Sequence, residues 1–319
     1  MWKYYTKEHH KDFVLSLGLI DGNLSDAEKL NILYSIANNP KKYYTKKYIL
    51  KKDGTKRELL VPNVYLKNIQ KRILHNVLDG LKPSEYVQSY MKNKSLIYNA
   101  KPHEKAKVIL KLDIKDFFPS INFEMLYNVL PSEIFPKEMK VLLLNLCLYD
   151  NYLPQGAPTS PMLSNLALKS FDNYIGEYVR DQNINYTRYA DDLTFSGDFN
   201  PYKLKNKVEA FLNVMGFNLN HGKTKIITQA KRQVVTGLVV NEKVSIPKIY
   251  RQEIRKDIYY IKKYGIWNHL EYIKYNGDKI KYLESLKGKI NYVLNVMRHN
   301  KEFLEYLTLV NNYLNDIKV

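Results

Sequence analysis

The chain has 319 residues, enough for a sizeable core, and carries 50 Lys plus Arg against 32 Asp plus Glu, a formal net charge of +18. Such an excess calls for a polyanionic partner, nucleic acid or an anionic membrane face. The membrane alternative is weak: no apolar run approaches the roughly 20 residues needed to span a bilayer, and the opening MWKYYTKEHHKDF lacks a signal-peptide core. The single cysteine, Cys147, excludes an internal disulfide framework and a Cys-rich zinc site, and fits a reducing, cytoplasmic setting.

In chain order, Ser25 to Asn38 opens with a capping box (Ser25, Glu28) and places Leu30, Leu33 and Ala37 on one helical face. Tyr48 to Pro62 reads as a hairpin turning at Asp53-Gly54. A helix is expected from Leu66, with Ile69, Ile73, Val77 and Leu81 on its stripe. Val108 to Ile114 is expected as a buried strand, followed by helices over Phe123–Leu130 and Lys137–Leu148. Pro154 to Pro161 is loop chemistry, and one helix is expected from about Met162 to Arg180. The stretch NYTRYADDLTFSG (Asn185 to Gly197) reads as strand, turn, strand. A helix over Lys203–Met215 ends at Gly216, a C′ position. Short strands are expected at Lys225–Thr228, Val234–Val240 and Val244–Ile246, and helices from Pro247 onward. The pattern is an α+β core followed by a basic helical module.

Asp191 and Asp192 stand at the turn of that strand pair. Two acids at a hairpin turn are ordinary turn chemistry. Here they lie between Tyr189-Ala190 and Leu193-Thr194-Phe195, which makes the turn tight and half-buried. A second acidic strand exit is Asp113 in LKLDIKDFFPSI, and two strands side by side would bring Asp113 and Asp191 to one edge. Converged carboxylates need cations; Mg²⁺ prefers such oxygen ligands and leaves positions open for phosphate. Two ions about 4 Å apart would activate an attacking hydroxyl and stabilise departing pyrophosphate. On a chain of charge +18, nucleotidyl transfer is the leading chemistry.

The motifs resemble those of reverse transcriptases. YADD (Tyr189–Asp192) is similar to the family signature, LDIKDFF (Leu112–Phe118) to the first palm motif and LPQGAPTSPMLSNL (Leu153–Leu166) to the nucleotide-pocket motif. LNHGKT (Leu219–Thr224) resembles the later palm motif with its lysine, and VTGLVV (Val235–Val240) sits at the primer grip. NAKPH (Asn99–His103) and VTG (Val235–Gly237) resemble two elements of bacterial retron reverse transcriptases. SLKGKINYVLNV (Ser285–Val296) is similar to their thumb, and a short chain without an evident endonuclease or protease extension also fits.

The resemblance implies a right-hand polymerase: an N-terminal region and fingers over 1–110, a palm of antiparallel sheet plus helices over 111–246 with an inserted fingers segment at about 121–165, and a helical thumb over 247–319. It implies that Asp113 and Asp191 ligate two Mg²⁺ ions, with Mn²⁺ able to substitute in vitro, that the Ile114 carbonyl assists, and that Asp192 completes the cluster less directly. Phe118 would be the steric gate that selects dNTPs. Gln155 and Gly156 would lie beside the nascent base pair, Arg57 and then Lys56 would grip the triphosphate, and Lys223 would assist pyrophosphate departure. Asn99, His103, Val235, Thr236 and Gly237 are expected to position template RNA or local loops. Arg251, Arg255 and Lys256 are expected to track an RNA–DNA duplex through phosphates. Asp116 is expected to be solvated or capping. The lysines at 41, 42, 46, 47, 51, 52 and 56, with Arg57, are interleaved with Tyr43, Tyr44 and Tyr48, a composition suited to nucleic acid.

The expected activity is RNA-directed DNA synthesis. For a retron it is primed from a 2′-hydroxyl of the enzyme's own structured non-coding RNA, giving a branched RNA–DNA molecule within an anti-phage system that has a separate effector protein. The alternatives are an intron or diversity-generating reverse transcriptase, and a catalytically silent RNA-binding scaffold. A group II intron enzyme would usually carry a maturase extension.

Overall fold

The structure is a computed structural model describing residues 5–50 and 54–318. Lys51, Lys52 and Asp53, part of the expected basic stretch and turn, lie outside the described residues. The elements in chain order begin with α1 (Lys7–Ser16), α2 (Asp26–Asn38), β1 (Tyr44–Leu50), β2 (Lys56–Pro62), α3 (Val64–Arg72) and α4 (Leu96–Ala100). Then come β3 (Val108–Asp113), α5 (Phe117–Ser120), α6 (Phe123–Val129), α7 (Lys137–Cys147), α8 (Ser160–Ala167), α9 (Lys169–Arg180), β4 (Asn185–Tyr189), β5 (Asp192–Gly197) and α10 (Pro201–Val214). The chain closes with β6 (Lys225–Thr228), β7 (Val234–Val235), β8 (Leu238–Val239), α11 (Lys248–Tyr272), α12 (Lys279–Val296) and α13 (Lys301–Lys318). Two compact units result: Met1–Lys94 with Leu110–Ile226, and Ser95–Ile109 with Ile227–Val319.

In the first unit a four-stranded sheet of order β4-β5-β3-β6 is the frame. β4 and β5 pair antiparallel with Tyr189 opposite Asp192, so the intervening turn is Ala190-Asp191. Helices supply the apolar faces that cover the sheet: Leu142, Leu146, Leu163, Phe171, Ile175 and Leu212 join Leu110, Leu112, Leu193 and Phe195 in one core. The capping box at Ser25 forms as expected, with Ser25 Oγ accepting from the Glu28 amide and Glu28 Oε2 accepting from the Ser25 amide. Gly216, at φ +84°, follows the C-cap Met215 of α10, where a left-handed residue ends the helix without a Cβ penalty.

Two expected helices differ. Met162–Arg180 is two helices, α8 and α9, broken at buried Leu168, whose ψ of 7° leaves the helical region. Apolar residues continue through the break, since α8 is buried nearly all round and α9 buries Phe171, Ile175 and Val179. The helix expected from Leu66 begins at Val64 and stops at Arg72; the stripe continues through a π-turn at Ile73–Val77 and a 3₁₀ turn at Leu78–Gly80.

The second unit has its own core, built from Ile254, Ile258 and Ile261 of α11, Leu286, Ile290 and Val293 of α12, and Phe303 and Val310 of α13. The strand expected over Val234–Val240 is instead a tight hairpin, with Val235 opposite Leu238. Its two turn residues, Thr236 and Gly237, have φ +44° and +86°, the signs that a type I′ turn requires. Val244–Ile246 is not a strand; Ser245 alone bridges to Val239. Among the described residues, no helix is long and apolar enough to cross a membrane.

Candidate active site

The site lies in the first unit, where β3 ends and the β4–β5 turn meets it. The Ile114 amide donates to the Asp191 carbonyl at 3.0 Å, so the backbones following Asp113 and carrying Asp191 are stitched together. The Asp113 carbonyl accepts from the Asn220 amide at 2.8 Å, and Ile114 bridges antiparallel to Leu219. That stitching brings in the LNHGKT segment. Lys223 Nζ reaches Asp113 Oδ2 at 2.8 Å across 110 residues of sequence.

Asp113 is buried and Asp191 and Asp192 are half-buried. Burial raises the Asp191 carboxyl above its usual range, and the like charges of Asp113 and Asp192 raise it further. Burial likewise raises Asp192, with Lys111 opposing the rise and Asp113 adding to it. Lys223 is shifted up, first by its bond to Asp113 and then by the field of all three acids. The hydrogen bond between Ile114 and Asp191, with the adjacency of Asp191 and Asp192, thus brings three carboxylates together beside Lys223. Among the described residues, no three His, Cys, Asp or Glu side chains form a ready metal-binding group. The chemistry of the donor set nevertheless fits hard divalent cations: oxygen donors that repel one another and are partly withdrawn from water.

Phe118 is half-buried on α5, packed against the core and edge-to-face with the buried ring of Phe117 at 5.3 Å. Asp116 is exposed and makes no cap bond. Lys56 and Arg57 are exposed on β2. The LPQG loop docks on that same strand through Leu60 N to Gln155 O at 2.9 Å. Gly156 has φ +134°, and a Cβ there would stand 2.7 Å from the Leu60 carbonyl oxygen. The glycine expected to admit a ligand is therefore already required by the approach of β2.

Tyr90 was not singled out from sequence. It has φ +59° and is 51% exposed. Burial, then Asp191 and Tyr189, raise its phenol, while Arg57 opposes them. One ring thus feels both an acid of the candidate site and the candidate triphosphate arginine. The stretch YVQSYMKN offers no motif that would have revealed this; only its tertiary position does.

The retron-like elements fall in the second unit. Asn99 and His103 are buried, as is Val235. Asn99 Nδ2 donates to Thr236 Oγ1 at 3.2 Å, which ties NAKPH to the VTG hairpin across 137 residues. These residues build a local loop structure, and exposed Gly237 marks its tip. Of the expected duplex-tracking residues, Lys256 is exposed and Arg251 half-buried. Arg255 forks onto Glu302, with both bonds at 2.6 Å, and is committed to packing α11 on α13.

A family profile described as reverse transcriptase (RNA-dependent DNA polymerase) matches residues 49–283. The chain belongs to the reverse transcriptases. Within that family, a retron reverse transcriptase of Escherichia coli, Ec86, is 36% identical over 220 residues, 67% of this chain and 69% of that protein. The retron Mx65 reverse transcriptase of Myxococcus xanthus is 32% identical over 236 residues, 67% of this chain and 55% of its own length. These matches place the chain among bacterial retron reverse transcriptases, RNA-directed DNA polymerases, and its own architecture is α+β. A solved Candida albicans telomerase, in complex with a fragment of telomeric RNA, shows a likeness at TM-score 0.48 and 11% identity, over 84% of this chain and 66% of that one. At that distance it carries no argument.

Proposed function

We propose that this reverse transcriptase copies part of its own structured non-coding RNA into single-stranded DNA, leaving a branched RNA–DNA product. The convergence of Asp113, Asp191, Asp192 and Lys223 supports nucleotidyl transfer, and the likeness to retron reverse transcriptases supports the retron type of product. Asp113 and Asp191, with the Ile114 carbonyl, would hold two Mg²⁺ ions, and Asp192 would support them. Bound there, the ions supply activation of the attacking hydroxyl and neutralisation of charge on the leaving pyrophosphate. Lys223 stands at Asp113 and would assist pyrophosphate departure by offsetting its charge, a role that suits an ammonium held charged by its neighbours. Arg57 and Lys56 would grip the triphosphate, Gln155 and Gly156 would line the nascent pair, and Phe118 would press on the sugar and exclude a 2′-hydroxyl. The residues 1–110, 111–246 and 247–319 serve as fingers, palm and thumb. Asn99, His103 and the Val235-Thr236-Gly237 hairpin act by shaping the RNA-facing loop rather than by direct contact through buried atoms. Arg251 and Lys256 would meet phosphates. The setting is cytoplasmic, the partners are the cognate RNA, the RNA–DNA hybrid, dNTPs and a separate effector, and the role is anti-phage defence.

The test is to express the chain with its native flanking DNA beside Asp191→Asn and analyse copurifying nucleic acid on denaturing gels after RNase or DNase treatment. A discrete DNA that retains a branched ribonucleotide, absent from the variant, is expected. Asp191→Asn should abolish primer extension and leave RNA binding intact or tighter. Extension by that variant at the normal rate would remove the site; bound RNA with no synthesis by the wild-type chain on any template would indicate a scaffold.

A further inference from the structure

Beneath the YADD turn lies a buried charged group that the proposed chemistry does not use. Arg188 of β4 is completely buried, as is Asp172 in the first turn of α9. The guanidinium forks onto that carboxylate, Nε to Oδ1 at 2.9 Å and Nη2 to Oδ2 at 2.7 Å, and Tyr186 Oη donates to the same Oδ1 at 2.8 Å. A buried ion pair is a poor device for stability alone, because desolvation offsets most of the attraction and apolar replacements of like volume often do as well. The use of the pair lies in the donor left over. Arg188 Nη1 donates to the Ala190 carbonyl at 3.0 Å, and the Ala190 amide donates to Ser89 Oγ at 2.8 Å. Asn165 closes the circuit, its Oδ1 accepting from Nη1 at 3.3 Å and its Nδ2 donating to the Ser89 carbonyl at 3.0 Å.

Ala190 therefore has both backbone polar groups held from beneath. It also has φ +57°, a left-handed conformation that an alanine keeps only when its surroundings over-determine it. The next residue is Asp191, whose own carbonyl is tied to the Ile114 amide. The backbone on both sides of the Asp191 side chain is thus immobilised, one side by β3 and the other by the Arg188 circuit. Lysine could not substitute, since it lacks the planar fork that serves a carboxylate and a carbonyl at once.

We propose that Arg188, oriented by Asp172 and completed by Asn165 and Ser89, is a positioning residue that locks the Ala190 peptide and so aims the Asp191 and Asp192 carboxylates, a role separable from holding the fold together. The proposal rests on the reading of Asp191 as catalytic. Misplacing reacting groups by about 1 Å costs on the order of 100-fold in rate.

The test uses the full chain, primer extension on a generic RNA template with dNTP titration, and thermal melting. The triple variant Arg188→Met, Asp172→Leu, Tyr186→Phe removes both charges and the orphaned hydroxyl donor together. It leaves the Ala190 carbonyl and Asn165 Oδ1 without their donor, so it should melt several degrees below wild type but fold and bind template-primer normally, with kcat about 100-fold lower and the dNTP KM within about threefold. Ser89→Ala, which deletes the acceptor under the Ala190 amide, should lower kcat by about tenfold in a chain that still folds, with the melting temperature lowered by only roughly 2–8 °C. Wild-type kcat in a folded triple variant overturns the proposal, as does a kcat that falls only in proportion to lost stability. If the triple variant does not fold, Ser89→Ala decides alone, and its full activity overturns the proposal. Failure of the underlying reading is distinguishable: there, Asp191→Asn itself extends primers.

Discussion

Substituting Gly156 with alanine tests the docking of the nucleotide-pocket loop on β2. Two costs apply. A φ of +134° lies where only glycine sits without strain, a cost of about 1–3 kcal/mol for another residue. The added Cβ would also meet the Leu60 carbonyl oxygen at 2.7 Å and its carbon at 3.3 Å. Backbone cannot swing aside as a side chain would, so the least costly relief is to lift the loop and give up the Gln155–Leu60 hydrogen bond, at about 1 kcal/mol. The sum is about 3 kcal/mol, or a drop of roughly 6–12 °C in melting temperature for a unit of this size. Because the loop then moves relative to Arg57 on the same strand, the dNTP KM should rise by at least about tenfold, the equivalent of about 1.4 kcal/mol. Melting followed by circular dichroism and steady-state extension with varied dNTP read both effects. A variant that melts within 2 °C of wild type, roughly the effect of 1 kcal/mol or less, and retains its KM would refute the contact.

Three further outcomes are expected. Phe118→Val should improve incorporation of rNTPs relative to dNTPs by at least about tenfold, measured by single-nucleotide extension, with unchanged sugar preference removing the gate assignment. Gly288 lies inside α12 with open space where a Cβ would stand, so Gly288→Ala should stabilise the second unit by about 0.5–1 kcal/mol in urea melts; destabilisation would contradict that packing. His269 is buried and its imidazole is lowered chiefly by burial. A depressed folded value means that the unfolded chain takes up the proton first, so stability is lost as pH falls below about 6.5. His269→Gln should shrink the stability difference between pH 7.5 and 5.5, and an undiminished difference would place that dependence elsewhere.

Much of the site was legible because its chemistry is local in sequence. Asp191 and Asp192 adjoin, Asp113 ends a strand of unmistakable apolar character, and their order with LPQG and LNHGKT carries the family resemblance. The hairpin at β1–β2, the Ser25 capping box and the stripes of α11 and α12 follow from periods and caps that single segments display. The helix break at Leu168 escaped because no Gly or Pro stands at it and apolar residues run through it, and the Thr236-Gly237 turn escaped because a threonine at φ +44° is not a residue that turn preference selects.

What the sequence by itself determined is which residue types stand at the ends of which elements: acids at a strand exit and a tight turn, lysines and tyrosines on a basic chain. What only the tertiary structure decided is pairing between distant segments. Lys223 meets Asp113 across 110 positions, Asn99 meets Thr236 across 137, and Tyr90, from a stretch with no motif, comes within the field of Asp191. Arg188 and Asp172 look like surface charges when read in line, and only the structure shows them as a fully buried ion pair beneath the Ala190-Asp191 turn. The physical reason is that a buried polar group is tolerable only with its partners in place, and those partners are chosen by the packing of helices on the sheet, which no local pattern encodes.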